Sequence, residues 1–237
     1  MNDFLAGEVL LIDKPLQWTS FDVVKKIKYL LKRQLGINKI KVGHAGTLDP
    51  LASGLLIVCT GKMTKSIPEI QDQDKVYTGI IELGAVTASY DLESEVEPRS
   101  DPSHLLEKDL EAAAHKLSGV LQQLPPIFSA KKIDGKRAYT LARKGEQPEM
   151  KSREIRIESF DITKIELPEI HFRIQCSKGT YIRSMAHDFG EILGVGGYLK
   201  ALRRTAIGEH SVDSALTIDK LQAQIEQLAS KDKDTKL

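Results

Sequence analysis

Apolar and polar positions along the chain alternate between two periods, and the changes of period mark out its elements. Residues 7–13 (GEVLLID) form an apolar, β-leaning run closed by Lys14-Pro15. Thr19 and Ser20 are helix-cap residues, and Thr19-x-x-Asp22 approximates a capping box. Val23, Val24, Ile27, Leu30 and Leu31 then recur at helical spacing until Gly36. This predicts an amphipathic helix with its lysines on the wet side. Residues 39–42 are a short strand candidate, 43–54 a loop rich in Gly, Pro, Thr and Ser, 55–60 a buried run and 61–70 a short helix. A strand is expected over 75–84 and an acidic loop over 85–102. A second helix, marked by Leu105, Leu106, Leu110, Ala113, Ala114 and Leu117, stops at Gly119.

Downstream, residues 124–135 are turn-rich and 136–144 read as a short basic helix. Residues 153–165 and 169–177 predict a strand pair joined at Leu167-Pro168. A turn over 178–181 leads into a helix over 182–193 that ends at Gly194. A strand over 198–207 contains Arg203 and Arg204, and a last helix spans 216–228. Strands and helices mix without regular βαβ alternation, and neither an internal repeat nor an interdomain linker is evident, so the expected class is α+β. We expect one domain over 1–229 and a flexible charged tail over 230–237.

Composition narrows the class. The chain has 237 residues, 41% hydrophobic and 28% charged, which excludes general disorder. No apolar stretch approaches a membrane span, and the first residues lack the basic region of a secretory signal. Cys59 and Cys176 each lie in apolar runs without a CxxC partner, as expected of reduced core residues in a cytoplasmic protein. The net charge of +1 conceals separate blocks. Between Val23 and Leu48 there are seven basic residues and no acidic one; between Glu69 and Glu111, twelve acidic and three basic; between Lys131 and Arg156, nine basic and four acidic. Such blocks suit either solvated helix faces or a phosphate-binding face hidden by a neutral total.

One segment invites a chemical reading: Gly43-His-Ala-Gly-Thr-Leu-Asp49-Pro50-Leu-Ala-Ser-Gly54. Its glycines permit close approach of a ligand, and Pro50 restricts Asp49 to an extended conformation. The segment lacks the GxxxxGK[ST] of a phosphate loop, has too few ligands for a metal site, and carries no nucleophile elbow. Two readings stay open on chemistry alone: a tight turn whose aspartate caps the next element, or a fixed carboxylate in a functional site.

Beyond that loop the chain resembles the TruB family of tRNA pseudouridine synthases. The resemblance rests on LLIDKP, GHAGTLDPLASGLL, KVYTGIIELG, CSKGTYIRSMAHDFGEILG and YLKALRRTAIG, in that order, with PPIFSAKKIDGKRAYTLARKGE similar to the family's RNA-contacting insertion over about 123–150. It runs from about Gly7 to Ser214. It implies a mixed, largely antiparallel central sheet flanked by helices. It also implies an isomerase that converts uridine 55 in the T loop of tRNA to pseudouridine without organic cofactor or metal. The family's aspartate falls on Asp49, the catalytic carboxylate and nucleophile. Its motif tyrosine falls on Tyr77 and its arginine on Arg183. The substrate-binding positions fall on His44, Tyr181, Leu202 and Lys14.

Those assignments are chemically coherent. A carboxylate can assist departure of the base from C1′. An arginine can stabilise that carboxylate once water is excluded. The target base must be flipped, with His44 as a wedge or stacking plane beside the vacated position and Tyr181 and Leu202 walling the uracil. The residues suit either a glycal route or attack on the base, and Tyr77 suits stacking or proton transfer. Lys131, Lys132, Lys136, Arg137, Arg143 and Lys144 are placed to grip phosphates of the tRNA T arm. Fewer residues follow Ser214 than the family's C-terminal RNA-binding (PUA) domain needs. We therefore expect a short-form, stand-alone monomer with no obligatory protein partner and no membrane association. The competing functions are a guide-dependent synthase subunit and a non-catalytic RNA-binding factor.

Overall fold

The computed structural model describes residues 3–128, 132–133, 136–137 and 150–234. In chain order the elements are β1 (Val9–Lys14), α1 (Ser20–Leu35), β2 (Val42–His44), β3 (Ala52–Thr60), α2 (Ile67–Asp72), β4 (Lys75–Leu83), β5 (Ala85–Thr87) and β6 (Val96–Pro98). They continue as α3 (Glu107–Lys116), β7 (Gly119–Gln123), β8 (Lys132–Ile133), β9 (Lys136–Arg137), β10 (Arg153–Glu166) and β11 (Glu169–Cys176). The chain closes with α4 (Ile182–Leu193), β12 (Gly197–Ile207), β13 (His210–Ser211) and α5 (Ile218–Asp234). Two units divide it: Met1–Lys75 with Arg203–Leu237, and Val76–Leu202. β12 therefore contributes its first residues to the second unit and its last residues to the first.

In the first unit the helix expected after Pro15 forms as the caps dictate. Thr19 and Asp22 exchange hydrogen bonds in a full capping box, and Gly36 closes the helix in the left-handed conformation at φ 67°. β1 pairs antiparallel with β3 from Val9↔Cys59 to Lys14↔Gly54. β3 is buried on both faces, which is why its run is continuously apolar. Leu56 and Val58 pack with Ile12, Val23, Ile27 and Leu31 and with Leu221 and Ile225 of α5. Leu55, Ile57 and Cys59 point the other way, toward Ala45, Ile70 and Ile207.

The second unit is built on the antiparallel hairpin of β10 and β11. Its strands follow the order β4-β11-β10-β7, with the start of β12 beside β4. Phe160, Phe172 and Phe189 pack together, Phe160 lying 5.9 Å from Phe172 and 5.4 Å from Phe189 between ring centroids. The α+β class and the largely antiparallel sheet are as expected: β1–β3, β2–β3, β7–β10, β10–β11 and β12–β13 all pair antiparallel. Both cysteines are buried, and neither forms a disulfide.

Several local expectations are corrected. The strand expected over 39–42 lies at Val42–His44, because Val42, Gly43 and His44 are the residues that pair with Thr60, Cys59 and Val58. The acidic segment 85–102 contains the β5–β6 pair. β7 was not expected at all: Val120 is 65% exposed, so its face carries little hydrophobic signal, and its partner β10 is distant in sequence. The basic helix expected over 136–144 begins instead as β9, which pairs with β8, and its remainder lies outside the described residues. The last helix continues to Asp234, past 228. No helix among the described residues is long and apolar enough to cross a membrane.

Gly54 pins β3 against β12. It has φ 104°, and a Cβ there would collide with the Arg204 carbonyl oxygen. Gly54→Ala should destabilise the protein by about 2–3 kcal/mol through overpacking and strained backbone, read from urea unfolding. An unchanged unfolding midpoint would show that the two strands can separate there at no cost.

Candidate active site

The loop carrying Asp49 is held by side chains that satisfy its backbone. Arg204 is 1% exposed, and its guanidinium donates to the carbonyls of Leu55 (2.8 Å), Gly46 (3.1 Å) and Thr47 (3.4 Å). Ser20, the first residue of α1, accepts from the Leu48 amide at 2.9 Å and donates to the Leu48 carbonyl at 3.1 Å. The Pro50 carbonyl accepts from the Gln17 amide at 2.7 Å, and Gln17 takes φ 65°. The Asp49 carbonyl accepts from Ala52 at 3.1 Å. The residues on both sides of Asp49 are thus tied to a helix terminus and a buried arginine, while Asp49 itself is half-buried.

Lys14 and His44 flank this loop. Lys14 is fully buried, and its ammonium donates to the carbonyls of Pro15 (2.9 Å) and Trp18 (2.6 Å). Its side chain therefore fastens the turn that leads into α1. Burial pushes its pKa down to about 8; the Asp49 charge pulls it up, Arg204 lowers it and Asp22 raises it. His44, half-buried on β2, sits below the ordinary histidine range because of burial and then the Arg204 charge, opposed by a hydrogen bond with the Gly46 backbone. It is the neutral imidazole at neutral pH. Arg203, next in β12, forms a bidentate pair with Asp13 at 2.8 and 3.0 Å and reaches Ser53 at 3.3 Å.

The second unit holds Tyr77, Tyr181, Arg183 and Leu202. Tyr77 is buried on β4, and Tyr181 and Leu202 are half-buried. Arg183 stands in the first turn of α4. Its guanidinium donates to the carbonyls of Phe128 (3.0 Å) and Ser89 (3.3 Å) and lies 3.5 Å from the Asp91 carboxylate; both side chains are about 5% exposed. Tyr181, the cap of that helix, is clamped by buried Gln123. Its amide donates to Gln123 Oε1 at 2.8 Å, and Gln123 Nε2 donates to its carbonyl at 3.0 Å. The Arg153 guanidinium lies 4.5 Å from the Tyr181 ring centroid. Asp91, Gln123 and Arg153 were missed from sequence. Asp91 sits in an acidic stretch where no periodicity distinguishes it, and only the tertiary pairing with Arg183 gives it meaning.

Of the basic residues expected in the insertion, Lys132, Lys136 and Arg137 fall in the β8–β9 pair, while Lys131, Arg143 and Lys144 lie outside the described residues. Among the described residues there is no cluster of three or more His, Cys, Asp or Glu that could hold a metal.

The fold has known counterparts. It is similar to an archaeal Cbf5 chain solved in a box H/ACA sRNP Nop10-Cbf5 complex, at 26% identity and TM-score 0.67 over 94% of this chain. A Cbf5-Nop10-Gar1 complex gives 26% identity and TM-score 0.70 over 95%. The chain spans about half the length of those solved proteins, 54% and 60% respectively. These likenesses define a pseudouridine-synthase fold. Residues 32–182 match the model of the TruB family pseudouridylate synthase N-terminal domain, and 183–237 that of the tRNA pseudouridylate synthase B C-terminal domain. Proteins named tRNA pseudouridine synthase B match at 53% identity in Flavobacterium johnsoniae and 49% in Parabacteroides distasonis, over 92% and 95% of this chain and 95% and 96% of theirs. The chain belongs to the TruB family of pseudouridylate synthases, a family of isomerases.

Two of the buried cations, Arg183 and Lys14, make measurable demands on stability. Asp91→Ala should destabilise the protein by about 3–5 kcal/mol, because it strips a carboxylate from a buried guanidinium; chemical denaturation measures it, and a loss below about 1 kcal/mol would class the pair with exposed ones. Lys14 gives a pH signature. Between about 8 and 10.5 the unfolded chain keeps a proton that folded Lys14 has released, so unfolding free energy should rise with pH across that window. Lys14→Met should lack that component of the rise. Parallel wild-type and variant curves would show that the buried amine titrates normally.

Proposed function

We propose that the chain isomerises uridine 55 in the T loop of tRNA to pseudouridine, with the target base flipped into a pocket and Asp49 as the catalytic carboxylate and nucleophile. The observation that carries the reading is the clamp on the Asp49 loop: the bonds from Arg204, Ser20 and Gln17 fix the backbone on both sides of Asp49. The reaction breaks the C1′–N1 bond and forms C1′–C5; N1 gains a hydrogen and C5 loses one, so neither an oxidant nor a second substrate is consumed. In this reading Arg183 supplies positive charge to the site. Tyr77 lies against the flipped nucleotide, and Tyr181 and Leu202 wall the uracil. His44, neutral at physiological pH, suits a wedge in the vacated stack. Lys14 acts through the turn it fastens.

The relatives named tRNA pseudouridine synthase B, matched over most of both lengths, support tRNA as substrate over a guide-dependent role. We infer a monomer acting on the T arm in the cytoplasm, without an obligatory protein partner, cofactor or metal, with the insertion gripping phosphates. The test incubates the purified protein with an unmodified tRNA transcript and maps pseudouridine. Product is expected in the T loop; product only at other uridines would overturn the substrate assignment. Asp49→Asn should abolish turnover and leave tRNA affinity within a few-fold. Equal losses of binding and rate would make Asp49 an RNA-contact or structural residue instead.

A further inference from the structure

The basic run between Val23 and Leu48 is not used by the chemistry above, and the fold gathers part of it. Lys28 and Lys32 of α1 converge with Lys39 and Lys41 of the following segment around a cleft of about 580 Å³ with Ile37 and Ile40 on its walls. All four lysines are exposed, and no carboxylate lines the cleft. Among the described residues none of the four has an ion pair, whereas Lys25 outside the cleft pairs with Asp22 at 3.8 Å. Four uncompensated ammonium groups around one concavity repel one another and concentrate anions. The adjoining row of α1, at successive helical turns, is Phe21, Lys25, Tyr29 and Arg33, with Phe21 and Tyr29 58% and 49% exposed. Cations interleaved with exposed rings are the composition of surfaces that meet nucleic acid, the rings serving bases and the cations phosphates.

The cleft is also rigidly joined to the candidate catalytic loop. Lys28 stands eight residues from Ser20, whose hydroxyl holds Leu48, and so roughly 12 Å along the α1 axis. Lys41 directly precedes β2 and lies roughly 10 Å along the strand from His44. A duplex arm presents phosphates over that range when one of its nucleotides is engaged at Asp49.

We propose that the Lys28–Lys32–Lys39–Lys41 cleft is a second backbone-binding surface, which holds phosphodiesters of the substrate RNA outside the flipped nucleotide. The inference rests on the function proposed above and adds to it a site separate from the 123–150 insertion. It accounts for how a chain of net charge +1 grips a polyanion: affinity comes from local cations whose counter-ions are released on binding.

The experiment compares the wild type with the K28Q/K32Q/K39Q/K41Q variant and with the corresponding fourfold Arg variant. It measures equilibrium binding of an unmodified tRNA transcript across a salt series, with circular dichroism and melting as the control of fold. The Gln variant should flatten the slope of log affinity against log salt by about 1.5–3.5, at about 0.7–0.9 for each phosphate no longer neutralised. The Arg variant should keep the wild-type slope. Acylation footprinting of the wild type should show these four lysines protected by tRNA. A folded Gln variant with the wild-type slope, or lysines equally reactive with and without tRNA, overturns the proposal. If in addition the wild type alone sediments with phosphatidylserine vesicles, the cleft belongs to a lipid surface. Wild-type protein that binds tRNA through these lysines yet forms no pseudouridine would overturn the proposed function and leave the cleft standing.

Discussion

The buried guanidinium of Arg204 is the interaction on which the first unit's functional geometry depends. A charged group with so little exposure is tolerated only when it is hydrogen-bonded, and here three carbonyls accept from it: Leu55 at the start of the buried run, and Gly46 and Thr47 in the loop. One side chain therefore ties the end of β12 to both sides of Asp49. The same charge adds to burial in lowering the pKa of His44 and, behind burial and against the Asp49 charge, that of Lys14. Gly54 is the complementary constraint, since only a residue without Cβ lets the Arg204 backbone come so close.

The second unit solves an equivalent problem by different means. Arg183 is also buried, but it answers to the Asp91 carboxylate as well as to carbonyls. Its helix begins at a tyrosine whose amide and carbonyl are both held by Gln123. Gln123, Leu124 and Phe128, the residues leading into the insertion, bond respectively to Tyr181, Ser184 and Arg183. The root of the insertion and the first turn of α4 consequently form one hydrogen-bonded body.

Much of this was legible in the chain. Helix α1 could be read because its cap, its 3.6-residue period and its terminal glycine are all local. The β10–β11 hairpin was readable for the same reason, and so was the double burial of β3, whose unbroken apolar run needs no partner to be recognised. The ordered motifs around Asp49, Tyr77, Arg183 and Arg204 pointed to the family because residue order survives without any coordinates.

What the sequence could not decide is which long-range partner each polar residue takes. Nothing local tells Asp91 from its acidic neighbours, or Gln123 from any exposed glutamine; each acquires its role when folding removes water and brings a distant partner within reach. Lys14 reads as an ordinary lysine after a strand, yet complete burial turns its ammonium into a fastener of backbone. β7 and β2 were missed or displaced because strand pairing, not propensity, sets where they lie. The seven cations between Val23 and Leu48 were visible as a count, but four of them became a cleft only when the chain turned back after Gly36. Local pattern determined the elements and the residues available for chemistry; desolvation and long-range pairing determined which of them are held, charged and placed.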